Sequence, residues 1–160
     1  MDKAWEEKEA IVRRSLLLLR RDGLIFSVDD LARDLKMGKA KIYRYFPSKE
    51  ALAKAVYARL HEEEMAALNE KPTVDAVLSV YQEALVYGDP ALFNRYSINE
   101  AVHRFADSLL KEVEDKALSL LKEASPKASL PGFREALESA LFSFAKKGGD
   151  VRELEALFLR

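Results

Sequence analysis

GKAKIYRYFPSKEAL, residues 38–52, is the stretch on which the fold turns. Lys39, Lys41, Arg44 and Lys49 crowd it beside Tyr43, Tyr45 and Phe46, and no acidic residue intervenes before Glu50. If Lys39 to Tyr45 is helical, successive side chains are separated by about 100° around the axis. Ile42 and Phe46, four apart, then share an inward face. Ala40 and Arg44 centre the opposite face, with Lys41 and Tyr43 at its flanks. A surface that is small, cationic and aromatic suits the major groove of DNA, where side chains hydrogen-bond base edges and phosphates. The competing reading is a solvated basic face with two half-buried tyrosines.

Upstream, Ser27 precedes an apolar-periodic run and Asp30 follows three residues later, a capping-box pattern that starts a helix over about residues 28–35. Leu31, Ala32 and Leu35 form its inward face. The turn Lys36–Met37–Gly38 joins it to the helix of residues 39–45, and two short helices joined by such a turn form a helix-turn-helix. Before them the spacing predicts a helix over residues 3–22, with Gly23 placed to end it in the left-handed conformation. Downstream, Pro47 stops the short helix. Ser48 caps a longer one, to about Asn69, with Glu50 near its positive end.

Beyond residue 69 the breaks fall at Pro72, Gly88–Asp89–Pro90, Pro126, Pro131–Gly132 and Gly148–Gly149. Helices are expected over residues 73–87, 91–124 (interrupted near 97–99), 133–147 and 151–160. No run alternates with period two. The expected fold is all-α.

The chain has 160 residues, a formal net charge of -1 and 49% hydrophobic residues, enough for a buried core. Near-neutral charge argues against non-specific coating of nucleic acid and leaves room for a local basic patch. Cysteine is absent, so no thiolate metal site and no disulfide framework is expected. The opening MDKAWEEKEA is polar rather than an apolar leader, and the apolar runs are too short to span a bilayer. A cytoplasmic protein is the expectation.

IYRYFPSKEAL, residues 42–52, resembles the signature that closes the DNA-binding domain of TetR/AcrR-type transcriptional regulators. Ile11, Leu18, Leu19 and Gly23 are similar to that family's first helix. Ser27–Val28–Asp29–Asp30–Leu31–Ala32 is similar to the second-helix start, and Leu35–Lys36–Met37–Gly38–Lys39 to the turn. The resemblance covers about residues 8–60. It implies a three-helix helix-turn-helix DNA-binding domain over residues 1–47. A short helical bundle for ligand binding and dimerisation would occupy residues 48–160, with the helix of residues 48–69 linking the two. It also implies that Lys39, Ala40, Lys41, Tyr43, Arg44 and Tyr45 face DNA, and that Ser27, Tyr43 and Lys49 hold phosphates. The chain departs from the family at Lys36, where glycine is usual, at Gly38, where Ser or Thr is usual, and at Lys41, where a small hydroxyl residue is common. Operator sequence is therefore not carried over.

What the resemblance further implies is a homodimeric repressor that binds a palindromic double-stranded DNA operator and releases it on binding a small-molecule effector. Phe133, Leu137, Leu141 and Phe144 recur at spacings of 4, 4 and 3, and Val151, Leu154, Leu157 and Phe158 recur similarly. Two such amphipathic helices can build a four-helix bundle with a twin subunit. The alternative is that they bury against their own chain. Tyr81, Tyr87, Phe93, Tyr96 and Phe105 are the candidate pocket lining, with Asn99 and His103 as polar contacts; the same aromatics at helical spacing also read as plain core.

A rival reading keeps the fold but gives the protein a role through protein partners, as a co-activator or polymer-binding factor. Whether DNA binding represses or activates depends on operator position, which the chain does not encode. No enzyme is expected. The segment after His61 lacks the second histidine of a zinc-protease motif, Glu100 and His103 form only one of the two motifs a di-iron bundle needs, and no nucleotide or cofactor fingerprint occurs. Lys111 with Asp115, and Glu112 with Lys116, are opposite charges four apart and read as solvated helix face.

Overall fold

Ser27 caps as its sequence context predicts. Its hydroxyl accepts from the Asp30 N–H at 3.1 Å, and the Asp30 carboxylate accepts from the Ser27 N–H at 3.4 Å. The computed structural model describes residues 2–22, 27–89 and 100–160, and these are helical, with no strand among them. The helices are α1 (Lys3–Asp22), α2 (Val28–Leu35), α3 (Lys39–Tyr45), α4 (Lys49–Asn69), α5 (Val74–Tyr87), α6 (Glu100–Ala124), α7 (Phe133–Lys147) and α8 (Val151–Phe158). A 3-10 turn, Pro126–Ser129, precedes α7. The sequence shows only a break there; the turn forms because Pro126 opens it and the Ser125 hydroxyl accepts from the Lys127 N–H. The last helix stops two residues earlier than expected. Gly23 and the expected helical stretch before Glu100 lie outside the described residues.

The chain divides into two units. One holds α1, α2, α3 and α4 as far as Leu60, together with α6 up to Ala106. The other holds α4 from His61, α5, α6 from Asp107 and everything after it. The division thus falls within α4, downstream of the expected one between residues 47 and 48.

In the first unit Ile11, Leu19, Leu31, Ile42, Leu52, Tyr57 and Leu60 are buried in one core. Polar side chains of α1 fasten three other helices. Arg14 donates to Asp34 of α2 from Nε and Nη2, at 3.2 and 3.0 Å. Glu9 accepts two bonds from Arg59 of α4. Glu7 accepts from Lys41 and Tyr45 of α3.

In the second unit α5 packs on α7 and α8, around Val77, Leu78, Tyr81, Leu137, Leu141 and Leu154. Gly149 follows α7 in a close approach. A Cβ there would lie 2.5 Å from the Phe144 ring, so no larger residue fits without displacing it. The i,i+4 pairs expected on α6 give way to others. Lys111 pairs with Asp107, Asp115 with Arg134 of α7, and Glu112 with His61.

Candidate nucleic-acid interface

The turn before α3 is made by a lysine in a strained conformation. Lys36 has φ 51 and ψ 43, the left-handed region that favours glycine. The conformation is held by two backbone bonds, Lys36 N–H to Arg33 C=O at 3.2 Å and Met37 N–H to Ala32 C=O at 3.0 Å. Gly38 begins α3 with no side-chain cap. The turn aims α3 so that Ile42 and Phe46 are buried and Ala40, Tyr43 and Arg44 are exposed. Lys8 of α1 lies over the Phe46 ring, 5.6 Å from its centre.

The cations on α3 differ in their surroundings. Lys39 Nζ lies 3.0 Å from Asp29 Oδ1, with both side chains at least half exposed. The Asp29 carboxylate holds the Lys39 ammonium above its ordinary pKa through that hydrogen bond. Pairs this exposed are worth little and exchange readily for phosphate. Among the described residues Arg44 and Lys49 pair with no carboxylate. Lys49 starts α4, where the Ser48 hydroxyl accepts from the Ala51 N–H at 3.1 Å. Helix starts of this kind favour anions. The Ser27 hydroxyl, although it accepts as the cap of α2, still has a proton to donate.

Lys41 and Tyr45 are placed differently. They lie one turn apart on the edge of α3 nearest α1, half-buried, and both reach Glu7. Lys41 Nζ is 3.0 Å from Glu7 Oε1, and the Tyr45 hydroxyl donates to Oε2 at 2.8 Å. The Glu7 carboxyl is held below its ordinary range, first by the Tyr45 hydrogen bond and then by Lys41. The same bond pushes the Tyr45 hydroxyl up. Sequence reasoning did not single out Glu7. It stands 34 residues from Lys41 in the chain, and no local pattern links them.

Residues 17–56 match the model of the tetR family, bacterial regulatory proteins. This segment carries a tetR-family DNA-binding domain. No curated protein and no solved structure matches the chain. The matched segment runs from the end of α1 through the helix-turn-helix into α4, so the tetR-family DNA-binding domain and the basic face of α3 coincide, and the protein is a DNA-binding transcriptional regulator.

The other candidate residues of this regulator are dispersed. Tyr81 is fully buried in the second unit, and its hydroxyl donates to Glu138 Oε1 at 2.7 Å. Burial and that bond push the Tyr81 hydroxyl far above its ordinary pKa. Tyr87 lines an open cavity of about 220 Å³ with Ser79, Gln82, Glu83, Val86 and Ala145. His103 and Phe105 belong to the first unit, where Lys54 lies over the Phe105 ring. Phe93, Tyr96 and Asn99 lie outside the described residues. A second cavity, of about 350 Å³ and more apolar, lies between α5 and the end of α6, lined by Val74, Val77, Leu120 and Leu121 among others. Sequence reasoning missed it because its residues look like ordinary core positions.

Of the candidate dimer residues, Phe133, Leu137, Leu141 and Leu154 are buried within their own chain. They have almost no surface left to bury against a twin, so their apolar periodicity is accounted for by the core of this unit. Phe158 meets Phe133 edge-on, with ring centres 6.0 Å apart, and is half-buried, as is Phe144. Leu157 is 71% exposed.

Proposed function

We propose that this regulator binds a palindromic operator as a homodimer and is released from it by a small-molecule effector. The observation that carries the reading is the outer face of α3. Tyr43 and Arg44 stand exposed there above a buried Ile42 and Phe46, in the segment that matches the tetR family. Within residues 1–47, Ala40, Tyr43 and Arg44 read base edges and Lys39 supports them. Ser27, Tyr43 and Lys49 hold phosphates. Lys41 and Tyr45 form the edge of the contact nearest α1.

A single short helix makes few contacts. Two copies reading half-sites one or more turns of DNA apart, about 34–36 Å each, gain affinity and fix the spacing. Leu157, with Phe144 and Phe158 beside it in sequence or on the neighbouring helix, is the surface we assign to the twin. The effector would bind in the second unit and act as a population shift, limited by its differential affinity for the operator-bound and released states. α4 passes from one unit into the other and is the lever in this reading. We read no catalytic activity, and a cytoplasmic setting follows from work on DNA.

Selection of bound duplexes from a random pool, at near-physiological salt, tests the proposal. Enrichment of an inverted repeat supports specific binding by a two-fold dimer and gives the half-site spacing. Enrichment of a single half-site removes the dimer. No enrichment by the folded protein removes specific DNA reading and favours a role through protein partners.

A further inference from the structure

We infer that Glu7 is a specificity-determining residue: it neutralises Lys41 and anchors Tyr45, so that the edge of α3 nearest α1 brings no net charge to DNA. The inference rests on the reading of α3 as the DNA-contacting helix. Three observations lead to it. Glu7 uses both carboxylate oxygens on α3, one for the Lys41 ammonium and one for the Tyr45 hydroxyl. Its side chain is only 17% exposed, so water screens the pair less than it would a surface ion pair. Meanwhile Arg44 and Lys49 pair with no carboxylate among the described residues.

These positions divide the labour on one short helix. A lysine aimed at the backbone releases a counterion and raises affinity for every sequence alike. A lysine already matched by a carboxylate releases none, and the carboxylate itself repels phosphate. Glu7 therefore holds down the sequence-independent part of binding while leaving Arg44 and Tyr43 to read. It also holds one edge of α3 at two points a turn apart, which fixes how the helix rotates in the groove. Lys3, one turn earlier on α1, lies within electrostatic reach of the same carboxylate and adds to its stabilisation.

The test is the salt dependence of binding to a random duplex and to the selected operator, by wild type, Glu7→Gln, Lys41→Ala and the double variant. Glutamine keeps the shape and an acceptor for Tyr45 while removing the charge. With Glu7→Gln, random-duplex affinity should rise roughly five-fold near 0.15 M salt, with log K against log salt steeper by about 0.9, the value of one phosphate contact. The ratio of operator to random affinity should fall. Lys41→Ala alone should expose the Glu7 charge and weaken binding to both duplexes, and the double variant should return the slope to the wild-type value. A Glu7→Gln slope equal to wild type overturns the inference. So does a double-variant slope shallower than wild type by about one contact, which would mean that Lys41 already neutralises phosphate; Lys41→Ala combined with Glu7→Ala decides the same point if the glutamine variant does not fold. If wild type binds no duplex at all, the DNA reading of α3 falls and takes the inference with it. A normal wild-type salt slope with no change in either variant leaves the DNA reading standing and removes Glu7 alone.

Discussion

Arg59 grips Glu9 with both terminal guanidinium nitrogens, Nη1 to Oε1 at 2.5 Å and Nη2 to Oε2 at 2.6 Å. The two residues are 50 apart in the chain and tie α4 to α1. The Arg59 hydrogen bonds hold the Glu9 carboxyl below its ordinary value of 4.5. A lowered carboxylate pKa in the folded state adds stability that is present above the unfolded value and lost as the pH falls through the folded one. Arg59→Ala leaves a largely covered carboxylate with weaker compensation, and should cost about 1–3 kcal/mol at pH 7. Thermal unfolding at pH 7 and pH 4 checks it: the deficit should shrink at the lower pH. A melting temperature unchanged at pH 7 would show that the pair contributes nothing net.

This contact marks the limit of what the sequence discloses. The capping box at Ser27, the cap at Ser48 and the inward pair Ile42 and Phe46 are all local, decided by residues three or four apart, and the structure has them as read. Contacts between distant helices leave no such trace. Glu7 and Glu9 look like solvated charges at the start of α1, yet each is taken by a partner on another helix. On α6 the i,i+4 charge pairs were visible, but Arg134 and His61 supplied nearer geometry for Asp115 and Glu112. Periodicity shows that Leu137, Leu141 and Leu154 are apolar on one face. It does not show whether α5 or a twin subunit covers that face, and here α5 lies against it.

Lys36→Gly should stabilise the regulator. The lysine pays a steric penalty at φ 51 that glycine does not, partly offset by glycine's greater freedom in the unfolded chain. The expected gain is about 1 kcal/mol, a rise in melting temperature of about 2–4 °C. Differential scanning calorimetry reads it directly. A fall in melting temperature would mean that the Lys36 side chain makes a compensating interaction in the folded state.

Arg44→Ala should weaken operator binding. If Arg44 reads a base, the cost is about 1–3 kcal/mol and preference relaxes at one position of the half-site. Lys49→Ala should instead weaken all sequences alike and lower the salt slope by about one contact. Repeating duplex selection with each variant separates these outcomes. Wild-type binding by Arg44→Ala would remove the assignment of the outer face of α3.

Glu114 gives the second unit a pH dependence opposite in sign to that of Glu9. Its side chain is 13% exposed, near Glu138 and 3.6 Å from Arg134. Burial first, and then the Glu138 charge, push its carboxyl up from 4.5 to about 7, against the pull of Arg134. A raised carboxyl pKa means that the folded state binds the proton more tightly than the unfolded chain. Its contribution is therefore fully present below the unfolded value and lost as the pH rises toward 7. Each unit of difference is about 1.4 kcal/mol, and partial solvent access reduces the total, so ionising Glu114 should cost roughly 1–3 kcal/mol. Glu114→Gln, which cannot ionise, should match wild type near pH 4 and exceed it by that amount at pH 8. Denaturant unfolding at the two pH values measures both. An equal loss of stability at pH 4 and pH 8 would instead assign the carboxyl a structural hydrogen bond that glutamine fails to make. A loss confined to pH 8 would mean that the group is ionised there and held by Arg134.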